Sequence, residues 1–100
     1  MSDPLQDVML ERARQDSRWG EQDHPDEWFF AILVEEVGET AKAMLEAHFQ
    51  ADYPGAYPDA DPGRIQKELV EVCAVALAWL ECMEHRRGLA ALRGEEAQHE

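Results

Sequence analysis

The sequence contains few basic residues, and this scarcity excludes a large class of partners. Lysine and arginine together number 9, against 22 aspartates and glutamates, so the net charge is -13 over 100 residues. Proteins that bind nucleic acid contact its phosphate backbone through a basic face. We therefore expect no nucleic acid polymer as a partner. A small phosphorylated ligand remains compatible with this charge, because divalent cations turn clustered carboxylates into a phosphate site.

Cysteine and long apolar runs are also scarce. Cys73 and Cys82 are nine residues apart in one predicted helix, so their side chains point about 180° apart and cannot form a disulfide within it. No apolar run reaches the roughly 18 residues of a membrane span. The first residues do not form a basic-then-apolar signal either. We expect a reduced, cytoplasmic protein that does not enter a membrane.

Strand patterns are missing, since no segment alternates apolar and polar residues between turn residues. Helix signals are frequent, with prolines in first turns and a stop at Gly88. The predicted helices cover about residues 4–17, 24–49 and 61–87. The chain is therefore predicted to be all-α, with one helical domain at residues 1–88 and a short polar tail at residues 89–100.

Three helices are too few to bury the apolar side chains that this chain carries. Hydrophobic residues make up 45% of the sequence, and large ones such as Trp28, Phe30 and Trp79 fall in the predicted helices. We expect a helical bundle of three to four helices whose core is completed by dimerisation. The predicted partner is a second copy, in a homodimer or higher homo-oligomer.

The second predicted helix carries a glutamate where its periodicity favours an apolar residue. Glu36 lies on the row formed by Phe29, Leu33 and Thr40. Glu39 follows Glu36 by three residues, so the two side chains project from adjacent turns. Like charges at this spacing repel, and partial burial raises the cost of keeping them ionised.

The third predicted helix repeats this intrusion. Glu68 follows Ile65 by three residues and precedes Val72 by four, and Glu71 lies one turn further along. Oxygen-rich sites of this kind suit hard divalent cations such as Mg²⁺ or Mn²⁺. If the two helices pack antiparallel, all four carboxylates come within reach of one or two ions. Such pairs also occur on solvated helix faces, and spacing leaves that alternative open.

The sequence disfavours other kinds of metal site and active site. A third pair, Glu81 and Glu84, lies about 220° round the helix from Glu68 and Glu71 and is predicted to face solvent. Glu-x-x-His occurs at Glu21–His24 and at Glu96–His99, but each of these glutamates lies outside the predicted helices, so a di-iron carboxylate site is not expected. The histidines also lack zinc-ligand spacing among themselves. The sequence contains neither a glycine-rich phosphate loop nor a G-x-S-x-G turn.

The two acidic segments, EEVGE at residues 35–39 and KELVE at residues 67–71, resemble the motifs of the MazG-like, all-α nucleoside triphosphate pyrophosphohydrolases. That family carries E-x-x-E on one helix and E-x-x-D on the next. The spacer of 28 residues, from Thr40 to Lys67, suits the family. The upstream Arg-Trp-Gly, His-Pro and Trp28 also look like its small members. The resemblance covers roughly residues 8–85, and its one departure is Glu71 in place of the usual aspartate.

The resemblance implies Mg²⁺-dependent hydrolysis of a nucleoside triphosphate (NTP or dNTP) to the monophosphate and pyrophosphate, with a role in nucleotide-pool clearance. Glu35 would orient or deprotonate the attacking water. The implied metal ligands are Glu36, Glu39, Glu68 and Glu71.

Candidate substrate-binding residues flank the two motifs. Lys42, Arg64 and Lys67 are the nearby cations for phosphate, although surface ion pairs with neighbouring acids explain them as well. Trp19 and Trp28 precede the first motif and are candidates for stacking on a base. A place in the bundle core is the alternative for Trp28.

Two other functions remain open at this stage. Because Glu71 is one methylene longer than aspartate, the site geometry can differ from that of the family. The first alternative is a non-catalytic nucleotide- or metal-binding helical dimer module that has lost turnover. The second is a purely structural acidic bundle.

Overall fold

The computed structural model describes residues 3–94, and these residues form three helices and no strand. The helices are α1 (Pro4–Trp19), α2 (Asp26–Asp52) and α3 (Gly63–Leu92). The all-α prediction is therefore confirmed for the described residues. Of the predicted polar tail, residues 95–100 lie outside the described residues.

Aspartate side chains accept backbone hydrogen bonds at the start of two of the helices. Asp3 accepts a hydrogen bond from the backbone N–H of Leu5 at 3.0 Å, and Asp61 accepts one from Gly63 at 2.9 Å. The predicted end of α3 at Gly88 is wrong. Good helix formers occupy residues 89–92, so the helix continues through the glycine at a cost of about 1 kcal/mol. A positive φ of 73° occurs instead at Gly94, just beyond Leu92.

The third helix is the centre of the arrangement. α3 packs against both α1 and α2, and within the described residues α1 and α2 do not pack against each other. A cleft therefore runs between α1 and α2, with α3 as its floor. The molecule is elongated, with extents of 61 × 27 × 24 Å.

A small apolar core joins α2 and α3. Phe29 is fully buried and lies parallel to Trp79, with ring centroids 6.1 Å apart, and Ala78 and Cys82 are buried beside it. The Trp79 indole N–H donates to Asp26 at 2.9 Å. Both cysteines are free, as predicted.

The face of α1 that packs against α3 is not the face that its apolar residues favour. Leu5 and Met9 favour an apolar buried face, but both are exposed, and the helix buries Arg12 and Gln15 instead. Arg12 reaches across to α3, where its Nε donates to Glu81 at 3.2 Å. Helix α1 is therefore held to α3 by polar contacts.

An apolar face is left exposed on the two long helices. The Phe30 and Trp79 rings are 6.3 Å apart, so the exposed rows of α2 and α3 adjoin. The apolar face consists of Phe30, Val34, Val37, Met44 and Leu45 of α2, with Leu69, Leu80 and Met83 of α3. Within residues 3–94, no helix is both long enough and apolar enough to cross a membrane.

Candidate metal centre

Three of the four predicted glutamate ligands converge between α2 and α3. One carboxylate oxygen from each of Glu36, Glu68 and Glu71 lies within 4.8 Å of the other two. Glu36 comes from α2, and the other two come from successive turns of α3. We refer to these three residues as the glutamate cluster. All three are half-buried.

The helical periodicity explains why these acids face inward. On α2, Glu36 lies on the row that buries Phe29 and Ala43. On α3, Glu71 lies four residues before the buried Val75. Each glutamate thus occupies a position that packing assigns to the helix–helix seam. The seam is apolar at Phe29 and becomes acidic at the glutamate cluster.

The glutamate cluster lacks a close cationic partner in the described part of the chain, and Arg64, whose charge lowers the pKa of Glu68, acts from beyond salt-bridge distance. None of its carboxylates forms an ion pair there, and the nearby Arg64 pairs with Glu46 at 3.3 Å. The Oε2 atom of Glu36 is shielded from solvent and has no hydrogen-bond donor among residues 3–94. A buried carboxylate oxygen without a donor is costly. Without a bound cation, the glutamate cluster therefore lowers the stability of the fold.

The electrostatics of the cluster agree with this geometry. Burial is the largest cause that raises the pKa of each of its carboxyls above the ordinary value of 4.5, and repulsion between neighbouring acids raises these pKa values further. Hydrogen bonding between the Glu36 and Glu71 side chains partly offsets the rise in the pKa of Glu36 and adds to the rise in the pKa of Glu71. A divalent cation would replace protons on these carboxyls, because its ligands bind as carboxylates.

The fourth predicted ligand lies outside the cluster. Glu39 is exposed on α2, and it contributes no oxygen to the group of three. Its charge is still close enough to help raise the pKa of Glu36 and of Glu68. Glu35, the predicted catalytic acid–base, is exposed beside Glu36, and both line the same cavity.

The predicted cations differ in their surroundings. Lys42 is exposed on α2, and Arg64 is held by Glu46. Lys67 lines a shallow depression beside Glu71 and Glu11. Of the three cations, Lys67 is thus the one that shares a surface depression with a cluster carboxylate.

The two predicted stacking residues meet next to the cluster. Trp19 and Trp28 line one cavity of about 410 Å³, and its wall also contains Glu35 and Glu36. Trp28 is not in the bundle core, since 40% of its surface is exposed. The structure therefore brings both tryptophans and the edge of the glutamate cluster to one cleft.

Helix α1 adds residues that the sequence analysis misses. Glu11 accepts hydrogen bonds from Arg14 at 2.6 and 2.8 Å and from Gln15 at 3.3 Å, and the bond from Arg14 holds the Glu11 pKa below its usual value. The charge of Glu11 in turn helps raise the pKa of Glu71. The signal that could reveal this face is Arg12 and Gln15, polar residues that interrupt a helical row as Glu36 does.

The third acidic pair is separate from the cluster, as predicted. Glu81 and Glu84 are both exposed, and neither belongs to the group of three. Glu81 nevertheless contacts protein, because Arg12 donates two hydrogen bonds to it.

The donor set of the cluster is that of a hard divalent cation. Three carboxylate oxygens provide the hard ligands that Mg²⁺ or Ca²⁺ prefers, and these oxygens all lie within 4.8 Å of one another. Comparisons with protein-family models, with curated proteins and with solved structures give no match to this chain.

Proposed function

We propose that this chain is a MazG-like, Mg²⁺-dependent pyrophosphohydrolase that converts an NTP or dNTP to its monophosphate and pyrophosphate. The observation that carries the proposal is the convergence of Glu36, Glu68 and Glu71 within 4.8 Å, with no cation paired to them among the described residues. A structural acidic pair would be expected to have a basic partner. These acids instead form a site for a divalent cation and, through it, for a triphosphate.

The residues around the cluster divide the remaining tasks. A bound Mg²⁺ would neutralise phosphate charge and lower the pKa of a water molecule. Glu35 lies beside Glu36 in the wall of the cavity, where its carboxylate would accept a proton from the attacking water. Lys67, in the depression beside Glu71, would contact the phosphates. The substrate would lie along the cleft, with its base toward Trp19 and Trp28.

A second copy of the chain would complete the fold. The radius of gyration is 17.6 Å, whereas a compact domain of 100 residues has one of about 13 Å. The apolar face leaves large side chains such as Phe30 and Leu80 more than half exposed. Pairing this face with its copy would bury both rows in a bundle of four long helices. We therefore propose a homodimer, and light scattering at micromolar concentration tests it.

Pyrophosphate release is the direct test of the activity. The purified protein would be incubated with a panel of NTPs and dNTPs and with Mg²⁺ or Mn²⁺. We expect release from at least one substrate, and none when the cation is removed by a chelator. No release from any substrate would contradict an enzymatic function. A cation-dependent rise in melting temperature without turnover would instead support the non-catalytic alternative.

A matched pair of variants tests the assignment of the site. Glu36→Gln removes one charge from the cluster while keeping the size of the side chain, and we expect it to lower turnover by at least about a hundredfold. Glu84→Gln makes the same change on the exposed surface of α3 and is expected to leave turnover unchanged. Equal activities of the two variants would show that the cluster is not the site.

A further inference from the structure

Two charged residues of α1 lie beside the glutamate cluster. Glu11 and Arg14 are one helical turn apart, and Glu11 lines a depression of about 300 Å³ together with Lys67 and Glu71 of α3. Because Glu71 belongs to the cluster, this depression adjoins the proposed metal centre. The Glu11 side chain is only 12% exposed, whereas that of Arg14 is 52% exposed. Helix α1 thus presents an accessible guanidinium next to the depression.

Glu11 fixes the orientation of this guanidinium and leaves part of it unused. Arg14 donates to Glu11 from Nε at 2.8 Å and from Nη2 at 2.6 Å, which is the bidentate geometry of a strong arginine–carboxylate pair. The Nη1 atom of Arg14 has no hydrogen-bond acceptor among residues 3–94. Its N–H groups are therefore available to a ligand. Since the pair already restricts the side chain, little rotamer freedom is left to lose on binding.

The charges around the depression link Arg14 to the cluster. The hydrogen bond and the charge of Glu11 raise the pKa of Arg14, and the charge of Glu71 raises it further. In turn, the hydrogen bond from Arg14 lowers the pKa of Glu11, and the charge of Lys67 adds to this effect. Glu11 is therefore a carboxylate between two cations, and both cations lie in the small region beside Glu71.

The order of the residues along the helices indicates which part of the substrate would reach Arg14. Trp28 lies near the level of Trp79, because the adjacent Phe29 contacts both rings. Glu71 lies about two turns before Trp79 on α3. From Glu71 the depression extends to Gly63, away from the tryptophans. A nucleotide with its base at Trp28 would thus place its terminal phosphates at the depression.

We infer that Arg14 binds the terminal phosphates of the substrate, and that Glu11 positions its guanidinium for this contact. The inference rests on the proposed function, because it takes a metal-bound triphosphate as the ligand. Lys67 contacts the same phosphates from α3, so α1 and α3 hold them from two sides. The reaction releases these phosphates as pyrophosphate, and the guanidinium stabilises the negative charge that develops on them.

Binding of inorganic pyrophosphate tests the inference without turnover. Isothermal titration calorimetry in saturating Mg²⁺ would measure its affinity for the wild type and for variants. We expect Arg14→Gln to bind pyrophosphate about tenfold or more weakly than the wild type, because charge-assisted hydrogen bonds are lost. Arg14→Lys keeps the charge without the planar fork and should have an intermediate affinity. Arg87→Gln, on the exposed surface of α3 about four turns from Glu71, is the control and should bind like the wild type.

Glu11→Gln separates phosphate binding from a structural role of the ion pair. This variant breaks the same pair but keeps the guanidinium, so we expect a pyrophosphate affinity within about threefold of the wild type. If the pair served only to hold α1 in place, Glu11→Gln and Arg14→Gln would weaken binding equally. Binding of Mn²⁺, followed by electron paramagnetic resonance, should be the same in Arg14→Gln and the wild type, because the guanidinium contacts the phosphates and not the cation.

The outcomes also distinguish this inference from the proposed function. The inference would be overturned if the wild type did not bind pyrophosphate, if Arg14→Gln bound it as tightly as the wild type, or if Glu11→Gln lost as much affinity as Arg14→Gln. A loss of Mn²⁺ binding in Arg14→Gln would overturn it too. Pyrophosphate release by the wild type would still support the hydrolase after any of these results. Conversely, if no triphosphate is hydrolysed but pyrophosphate binds as expected, the hydrolase function fails and phosphate binding by Arg14 stands.

Discussion

Among residues 3–94, two groups of acidic side chains beside α3 differ in their partners, because one has basic partners within salt-bridge distance and the other has none. Beside Cys82, Arg12 bonds to both Asp16 and Glu81, and Arg86 donates to Asp26 at 2.9 Å. About three to four turns towards the start of α3, the three acids of the glutamate cluster face one another. We call the first region the paired region.

The pKa values of the acids shift in opposite directions in the paired region and in the glutamate cluster. In the paired region, hydrogen bonds from Trp79 and Arg86 lower the pKa of Asp26. In the cluster, burial and repulsion raise the pKa of every carboxyl. Ionised acids therefore hold the first region together and push the second apart. The difference separates acids that serve the fold from acids that are free to bind a ligand.

The largest expected effect on stability comes from breaking the paired region. Arg12→Met keeps much of the apolar stem but removes a buried guanidinium, leaving Asp16 and Glu81 without their partner. We expect the free energy of unfolding to fall by about 2 kcal/mol, less than for a fully buried pair because both acids are half-exposed. Urea denaturation measures this loss. An unchanged midpoint would show that the paired region does not hold α1 to α3.

Removing a charge from the glutamate cluster should raise the free energy of unfolding instead of lowering it. Glu71→Gln removes one of three repelling charges, so in chelator we expect the free energy of unfolding to rise by about 1 kcal/mol. With Mg²⁺ present, the wild type should gain stability and the variant should gain little. Denaturation with and without the cation measures both. A variant that is less stable than the wild type in chelator would contradict the repulsion described for the cluster.

The stabilisation that we expect from Glu71→Gln in chelator should depend on pH. The cluster carboxyls have raised folded-state pKa values, so their contribution to stability is fully present below about pH 4.5 and is lost as pH rises through those raised values. The advantage of Glu71→Gln over the wild type in chelator should be small at pH 4 and grow toward pH 8. The difference in free energy of unfolding between the two proteins cancels the contribution of acids such as Asp26, whose lowered pKa gives the opposite pH dependence. A constant difference would argue against ionisation as the cause.

The smallest expected effect is on turnover, and it comes from the acid next to the glutamate cluster. Glu39 is exposed and contributes no oxygen to the group of three. We expect Glu39→Gln to lower turnover by only a few-fold, through its long-range charge, whereas Glu36→Gln lowers it much more. Steady-state kinetics of the two variants measures the ratio. Equal losses would mean that all four predicted glutamates bind the cation.

The sequence predicts the cluster better than it predicts its surroundings. Glu36, Glu68 and Glu71 interrupt apolar rows, and helical periodicity alone brings such residues to the seam. The helical class follows from the same patterns. The inner face of α1 is harder, because Arg12 is buried through bonds to a residue 69 positions away. Long-range partners of this kind, like the place of Gln22 in the cavity wall, depend on how the helices pack and leave no local pattern.

Direct binding of Mn²⁺ tests whether the glutamate cluster holds a divalent cation. Electron paramagnetic resonance reports free Mn²⁺, so its loss of signal on titration with protein measures binding without any substrate. We expect binding by the wild type and by Glu84→Gln, and a loss of that binding in Glu36→Gln. Equal binding by Glu36→Gln and the wild type, or no binding by either, would contradict this expectation.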